Sequence, residues 1–257
     1  MGDACARSVV AAVALVFGAG ACDLAEAVAG HTRRSVAVTP DLSLHRLGRE
    51  LWLHESWSRV AGSRRSRNGL VVVGNDAVIL VDVPREAEAT TALADWIEGE
   101  LGLPIRLAVI THATGEPTGG TAVLAAREIA SIGCDETVLR QASEGGPLPS
   151  RSFAKEELLT LDDETIELFF PGPANRPDGV VVYLRRAKLL FCGDLVRPLE
   201  ADTLGSTRDA DLSSWPTALR FVRGRFSFAE RVVPGHGDPG GPELIEHTLA
   251  LIGSRTG

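Results

Sequence analysis

The stretch LAVITHATGEPTGG, residues 107–120, decides how the rest of the chain is read. Its apolar start reads as a buried strand and its polar middle as a loop. The Gly119-Gly120 pair leads into TAVLAAREIASIG, read as a helix ending at Gly133. Strand, polar loop and helix in that order form the unit of an α/β fold, and such folds place their sites in loops at strand ends. Working outward, TTALADWIEGELG carries Leu93, Trp96, Ile97 and Leu101 at helical spacing and stops at Gly102. LVVVG and AVILVDVP, split by Asn75-Asp76, read as a hairpin, and LSLHRLGRELWLHESWSRV supplies earlier strands. Asn68-Gly69 within RRSRNGL reads as a turn, CDETVL as a short strand and QASEGGPLPSRSF as a loop. TIELFFPGP, GVVVYLRRAKLLFCGD and AERVVPGHG are further strands around the helical segment SSWPTALRFVRGRF, whose Trp215, Leu219, Phe221 and Val222 are expected in the core. Strands and helices alternate without a linker or repeat, which gives one α/β domain of two packed halves over residues 45–257.

A net charge of -8 argues against a nucleic-acid surface, which needs a basic face. The one basic cluster, RRSR at residues 64–67, reads as a solvated loop. At the N-terminus Arg7 precedes SVVAAVALVFGAGA, an apolar run too short to span a bilayer comfortably, so residues 1–22 are expected to be a signal peptide. AGAC at residues 19–22 is similar to a lipoprotein cleavage box with Cys22 as the lipidated residue, so the mature protein is expected in the periplasm, free or held by a lipid anchor. Residues 23–44 read as a link. Cys134 and Cys192 remain in the body, either as two buried thiols or as a pair.

The order of these motifs resembles a metallo-β-lactamase of subclass B1. The stretches that carry the resemblance are NGLVVV with VILVDVP, ADWIEGELGLPIRLAVITH, FFPGPANRPDGVVVYL, LLFCGDLVRP, RDADLSSWPTALR and RVVPGHGDPGG. It implies an αββα sandwich with a site at one edge of the two sheets, and zinc-dependent hydrolysis of β-lactam rings by a monomer. In that family three histidines hold a first zinc; they fall here on His112, Thr114 and Asn175, and only His112 is kept. An aspartate, a cysteine and a histidine hold a second zinc, and they fall on Glu116, Asp194 and His236.

A catalytic zinc needs three good protein ligands and an open position for water. Thr114 and Asn175 offer only neutral oxygens, so the first site is expected to be lost. Glu116, Asp194 and His236 can still form a facial triad for one ion, zinc by resemblance and equally suited to iron(II) or manganese. Glu116 and Asp194 are then the candidate catalytic carboxylates, although Glu116 is one methylene longer than the family's aspartate. Pro117 is expected to reshape this loop, and Gly235 and Gly237 to let the chain turn tightly around His236. Arg197 stands where the family has a lysine that pairs the substrate carboxylate, and can grip an anion in bidentate fashion. Thr203 falls at an asparagine that assists the lactam carbonyl, and Asn175 is expected beside the substrate. Residues 57–67 match a flap over the site.

Each residue also has a plainer role. His112 can be a hydrogen-bonding histidine at a strand end, Glu116 and Asp194 ordinary loop carboxylates, and Cys192 either a packed thiol or a substitute ligand. Three functions stay open: a single-metal hydrolase of small anionic substrates including β-lactams, a non-catalytic relative that binds such anions, and a hydrolase of another small anion.

Overall fold

The computed structural model describes residues 35–60, 62–113 and 119–256. The expected signal peptide, Cys22 and the first part of the link lie outside them. The first sheet runs in chain order from β1 (Ser35–Thr39) through β2 (Leu42–Gly48), β3 (Leu51–Val60), β4 (Ser63–Val73), β5 (Val78–Val81), β6 (Ile105–Val109) and β7 (Ser131–Cys134) to β8 (Arg151–Phe153). Pairing is antiparallel as far as β5 and parallel from β5 to β8. The second sheet contains β9 (Glu156–Leu161), β10 (Glu164–Phe169), β11 (Val181–Leu184), β12 (Leu189–Gly193) and β13 (Arg231–Pro234), with β12 and β13 parallel.

Parallel neighbours need a crossover, and helices supply it. α1 (Ala87–Trp96) with a wider turn over Ile97–Leu101 joins β5 to β6, ending on the left-handed Gly102 as the sequence indicates. α2 (Gly119–Ala126) precedes β7, α3 (Asp135–Glu144) precedes β8, α4 (Trp215–Arg225) joins β12 to β13, and α5 (Glu243–Thr256) closes the chain. Strand alternation then divides the core into layers. Leu70, Val109, Ile166, Phe191 and Val233 meet between the sheets. Leu190 and Cys192 point the other way, under α4 and α5 with Trp215 and Ile245, while Leu80 and Ala108 lie under α1 and α2 with Leu93 and Leu124. The result is an αββα sandwich.

Several local expectations give way to longer-range contacts. The sheet begins at Ser35, inside the segment read as a link, because Val36 pairs with Leu44 and packs on the α1 side. The helix read as reaching Gly133 stops at Ala126; Glu128 turns left-handed at φ 57°, and the following residues form β7, whose Ile132 is fully buried between the sheets. CDETVL is helix rather than strand, since Asp135 and Glu136 complement the positive end of α3, and α3 also takes in the start of the stretch read as loop, which ends in β8. Phe221 is 53% exposed, stacked on Phe169 at 5.5 Å, while Trp215, Leu219 and Val222 are buried as expected.

Asn68-Gly69 is not a turn but the middle of β4. Gly69 pairs with His54 on β3, and the buried His54 ring lies where a Cβ on Gly69 would be. His54 Nε2–H donates to the Asp82 carbonyl at 3.2 Å, and Nδ1 is buried without a partner. Burial lowers this imidazole from 6.5 to about 4. The ring is therefore neutral in the fold and protonates on unfolding below pH 6.5, so its contribution is complete above that pH and is lost as the pH falls towards 4. His54→Gln is expected to reduce the stability loss between pH 7 and 4.5 by about 2.5 kcal/mol relative to the parent. Urea unfolding at the two pH values measures it.

Candidate active site

The start of β4 and the ends of β5, β6, β12 and β13 lie at one edge of the sandwich. Asp82 leaves β5 with φ 57°, a conformation rarely adopted outside glycine, and this turns its carboxylate towards the end of β6. Oδ1 accepts the Thr111 N–H at 2.9 Å and Oδ2 the Thr111 hydroxyl at 2.7 Å. Burial raises this carboxyl to about 6, against the pull of the Thr111 hydrogen bonds.

Counting protons fixes the next group. Thr111 has one hydroxyl hydrogen, given to Asp82, so its oxygen accepts from His112 Nδ1–H at 3.0 Å. His112 Nε2 then carries the lone pair and accepts from Arg67 Nη1 at 2.8 Å. Burial, then the charges of Arg176 and Arg67, keep this imidazole well below its ordinary value, and it is neutral. Ala113, next in the chain, is held at both backbone groups. Its N–H donates to Asp178 Oδ2 at 2.5 Å and its carbonyl accepts from Arg176 Nη2 at 2.8 Å.

The second half of the site comes from the parallel pair β12 and β13. Asp194 follows Gly193, and His236 follows Gly235, whose N–H donates to the Gly193 carbonyl at 2.8 Å. Asn68 clamps the PGHG turn: its side-chain amide donates to the carbonyls of Pro234 (2.9 Å) and Gly237 (2.8 Å), and its N–H to Gly235. His236 Nδ1–H donates to the Ser66 carbonyl, which leaves Nε2 facing Asp194 Oδ1 at 3.2 Å. Burial works to raise the Asp194 carboxyl, but the contact with His236 and the positive charge of Arg67 outweigh it and hold it well below the usual carboxylate range.

These residues open on a cleft of about 360 Å³ lined by Arg65, Asn175, Arg176, Asp194, Arg197 and His236, among others. Arg197 lays its guanidinium beside Gly205, whose left-handed φ of 69° favours glycine. Thr203 is exposed and accepts the Gly205 N–H at 3.4 Å; it is not part of the cleft wall. Cys192 is buried in the helix-side core and its thiol is pushed up by burial, so it is a packed residue and not a ligand; it and Cys134 are both free. Glu116, Thr114 and Pro117 lie outside the described residues.

Tested against a metal ion, the two expected positions differ. A carbonyl can only accept, so Ser66 fixes the proton of His236 on Nδ1 and aims Nε2 at a carboxylate oxygen. Two facing acceptors 3.2 Å apart need a cation between them, a proton or a metal, and this spacing suits a hydrogen bond and two neighbouring ligands on one ion alike. His112, by contrast, already spends Nε2 on Arg67. Among the described residues no three His, Cys, Asp or Glu side chains gather around one point.

Of the residues singled out in the sequence, Asn175, Asp194, Arg197 and His236 come together at the cleft, while Asp82, Thr111, Asn68, Arg67 and Arg176 around it were not singled out. The available signal for Asp82 was VILVD, the same apolar run ending in aspartate as LLFCGD. RRSR is corrected: Arg64 is exposed over the Trp57 ring at 4.5 Å, while Arg67 turns inward. Residues 57–60 and 63–67 are the paired ends of β3 and β4.

The family model described as metallo-beta-lactamase superfamily matches residues 62–236. A type 2 metallo-beta-lactamase of Bacteroides fragilis is 30% identical over 226 residues, covering 88% of this chain and 91% of that protein. The solved metallo-beta-lactamase from Pontibacter korlensis superposes with a TM-score of 0.79 at 32% identity, covering 82% of this chain and 99% of that one. The metallo-beta-lactamase FIM-1 from Pseudomonas aeruginosa, in a mono-zinc form, gives 0.77 at 31%, covering 86% and 99%. Sequence and sandwich thus agree from β4 to His236, and the chain belongs to the metallo-beta-lactamase superfamily.

Proposed function

We propose that the protein is a metallo-beta-lactamase-type hydrolase with one metal position, acting on small anionic substrates such as β-lactams with lowered or altered activity. The observation that carries this is the Asp194–His236 pair, whose Nε2 and Oδ1 atoms face each other as two ligands of one ion would. Glu116 is the proposed third ligand, from the 114–118 segment outside the described residues. Bound there, a zinc ion would supply Lewis acidity and an activated water. Asp194, held ionised, is suited to stay on the ion, and Glu116 and Asp194 remain the two carboxylates proposed to move a proton. Arg197 and Arg176, with Asn175 beside them, give the cleft wall the positive charge and hydrogen bonding that an anionic substrate needs. Relatives of this chain carry the name metallo-beta-lactamase; export to the periplasm, with or without a lipid on Cys22, and a monomeric state complete the proposal.

The contact between Arg67 and His112 favours a second reading, a non-catalytic relative that keeps the cleft for anion binding. Elemental analysis of the zinc-loaded mature protein and a chromogenic cephalosporin assay separate the two. At most one zinc per chain is expected. Turnover is expected to be at least about 100-fold below that of a two-zinc enzyme, given the longer Glu116, and to be lost on chelation. A metal-free protein without turnover sinks the hydrolase and leaves the binding protein.

A further inference from the structure

Arg67 stands in a place that the family resemblance reserves for an ion. The hydrogen bonds around it leave it little choice. Thr111 gives its only hydroxyl hydrogen to Asp82, His112 therefore donates from Nδ1, and the remaining lone pair on Nε2 takes the Arg67 Nη1–H at 2.8 Å. A lone pair in use as an acceptor cannot also bind a metal. The strand beneath Arg67 is fixed as well: Arg67 pairs with Ser56 on β3, and the next residue, Asn68, holds three carbonyls of the PGHG turn. The guanidinium is close enough to Asp82 and Asp194 for its charge to act on both carboxylates.

We propose that the Arg67 guanidinium permanently fills the first metal position, capping His112 Nε2. A guanidinium stays charged at any working pH and no chelator removes it. The loss of Thr114 and Asn175 as histidines is thus only part of why this position would take up no metal; a side chain already occupies it. The inference uses the ligand positions carried over from the family and does not require the Asp194–His236 position to be catalytic.

The test restores the ligands and reads metal content instead of activity. With Arg67 in place, the Thr114→His/Asn175→His variant is expected to bind no more zinc per chain than the parent. Adding Arg67→Ser is expected to raise the stoichiometry by one, with a matching new cobalt(II) absorption band when cobalt replaces zinc. Uptake of the extra zinc while Arg67 remains overturns the proposal. So does a folded triple variant that takes up none. Should the triple variant not fold, the unaltered protein decides through the ring ¹⁵N shifts of His112. They are expected to show the Nδ1–H tautomer with a hydrogen-bonded Nε2, unchanged by added zinc; a zinc-dependent shift at Nε2 overturns the proposal. Absence of any bound metal at Asp194 and His236 defeats the hydrolase reading but leaves these His112 results standing.

Discussion

Gly69→Ala is expected to destabilise the protein by about 4 kcal/mol or more, at the upper end of what a single overpacking change does. The added methyl would overlap the His54 ring and come 2.5 Å from the Val81 carbonyl oxygen. Neither neighbour can yield cheaply. The ring is buried and its Nε2–H is committed to the Asp82 carbonyl, and the Val81 carbonyl belongs to the central strand β5. Equilibrium unfolding in urea measures the cost. His54→Ala in the same chain removes one of the two obstacles, so the double variant should lose less stability than the sum of the two single changes. A cost below about 1 kcal/mol for Gly69→Ala would mean that the ring does not lie over Gly69.

Gly235→Ala is expected to act on the site more than on the fold. A Cβ there overlaps Asp194 Oδ1 and comes 2.9 Å from the Gly193 carbonyl carbon and 3.0 Å from the Asp194 nitrogen. The carboxylate is the softest of these, so it should be pushed away from His236, opening the facing pair that the proposed metal needs. Misplacing one ligand should weaken zinc binding roughly 100-fold, as loss of a supporting contact does in metal sites. Competition against a chelating dye measures this, and an unchanged affinity would place the metal elsewhere or nowhere. Gly235 thus serves by letting two strand ends approach. Gly237 serves by its left-handed φ of 75°, as the sequence indicates for a tight turn around His236.

The two glycine cases mark where sequence was legible and where it was not. The β4–β5 hairpin, α1 with its Gly102 cap and the β12 and β13 strands follow from alternation and local turn chemistry, which act within a few residues. Asn68-Gly69 carries the same local signal as a turn, yet Gly69 is required by a histidine on another strand, information no short window contains. β7 and α3 were exchanged for the same reason: Ile132 fits a helix or a strand until the parallel partner β6 claims it. Within the site, Asp194 and His236 were singled out by the resemblance, through the stretches LLFCGDLVRP and RVVPGHGDPGG, each with glycine beside the residue. Arg67 did not, because a run of arginines reads as solvated until strand register shows which one faces inward.

The parallel pairing of β12 with β13 also carries a consequence for how the chain folds. Asp194 and His236 are separated by the whole crossover containing α4, and they meet only when β13, the last strand, docks beside β12. Closing so long a loop costs entropy before the strand contacts repay it, so this pairing belongs among the late steps of folding. A nascent chain still lacking its final strand therefore has no assembled Asp194–His236 pair, and on the proposed function competence for metal would report that the sandwich is complete.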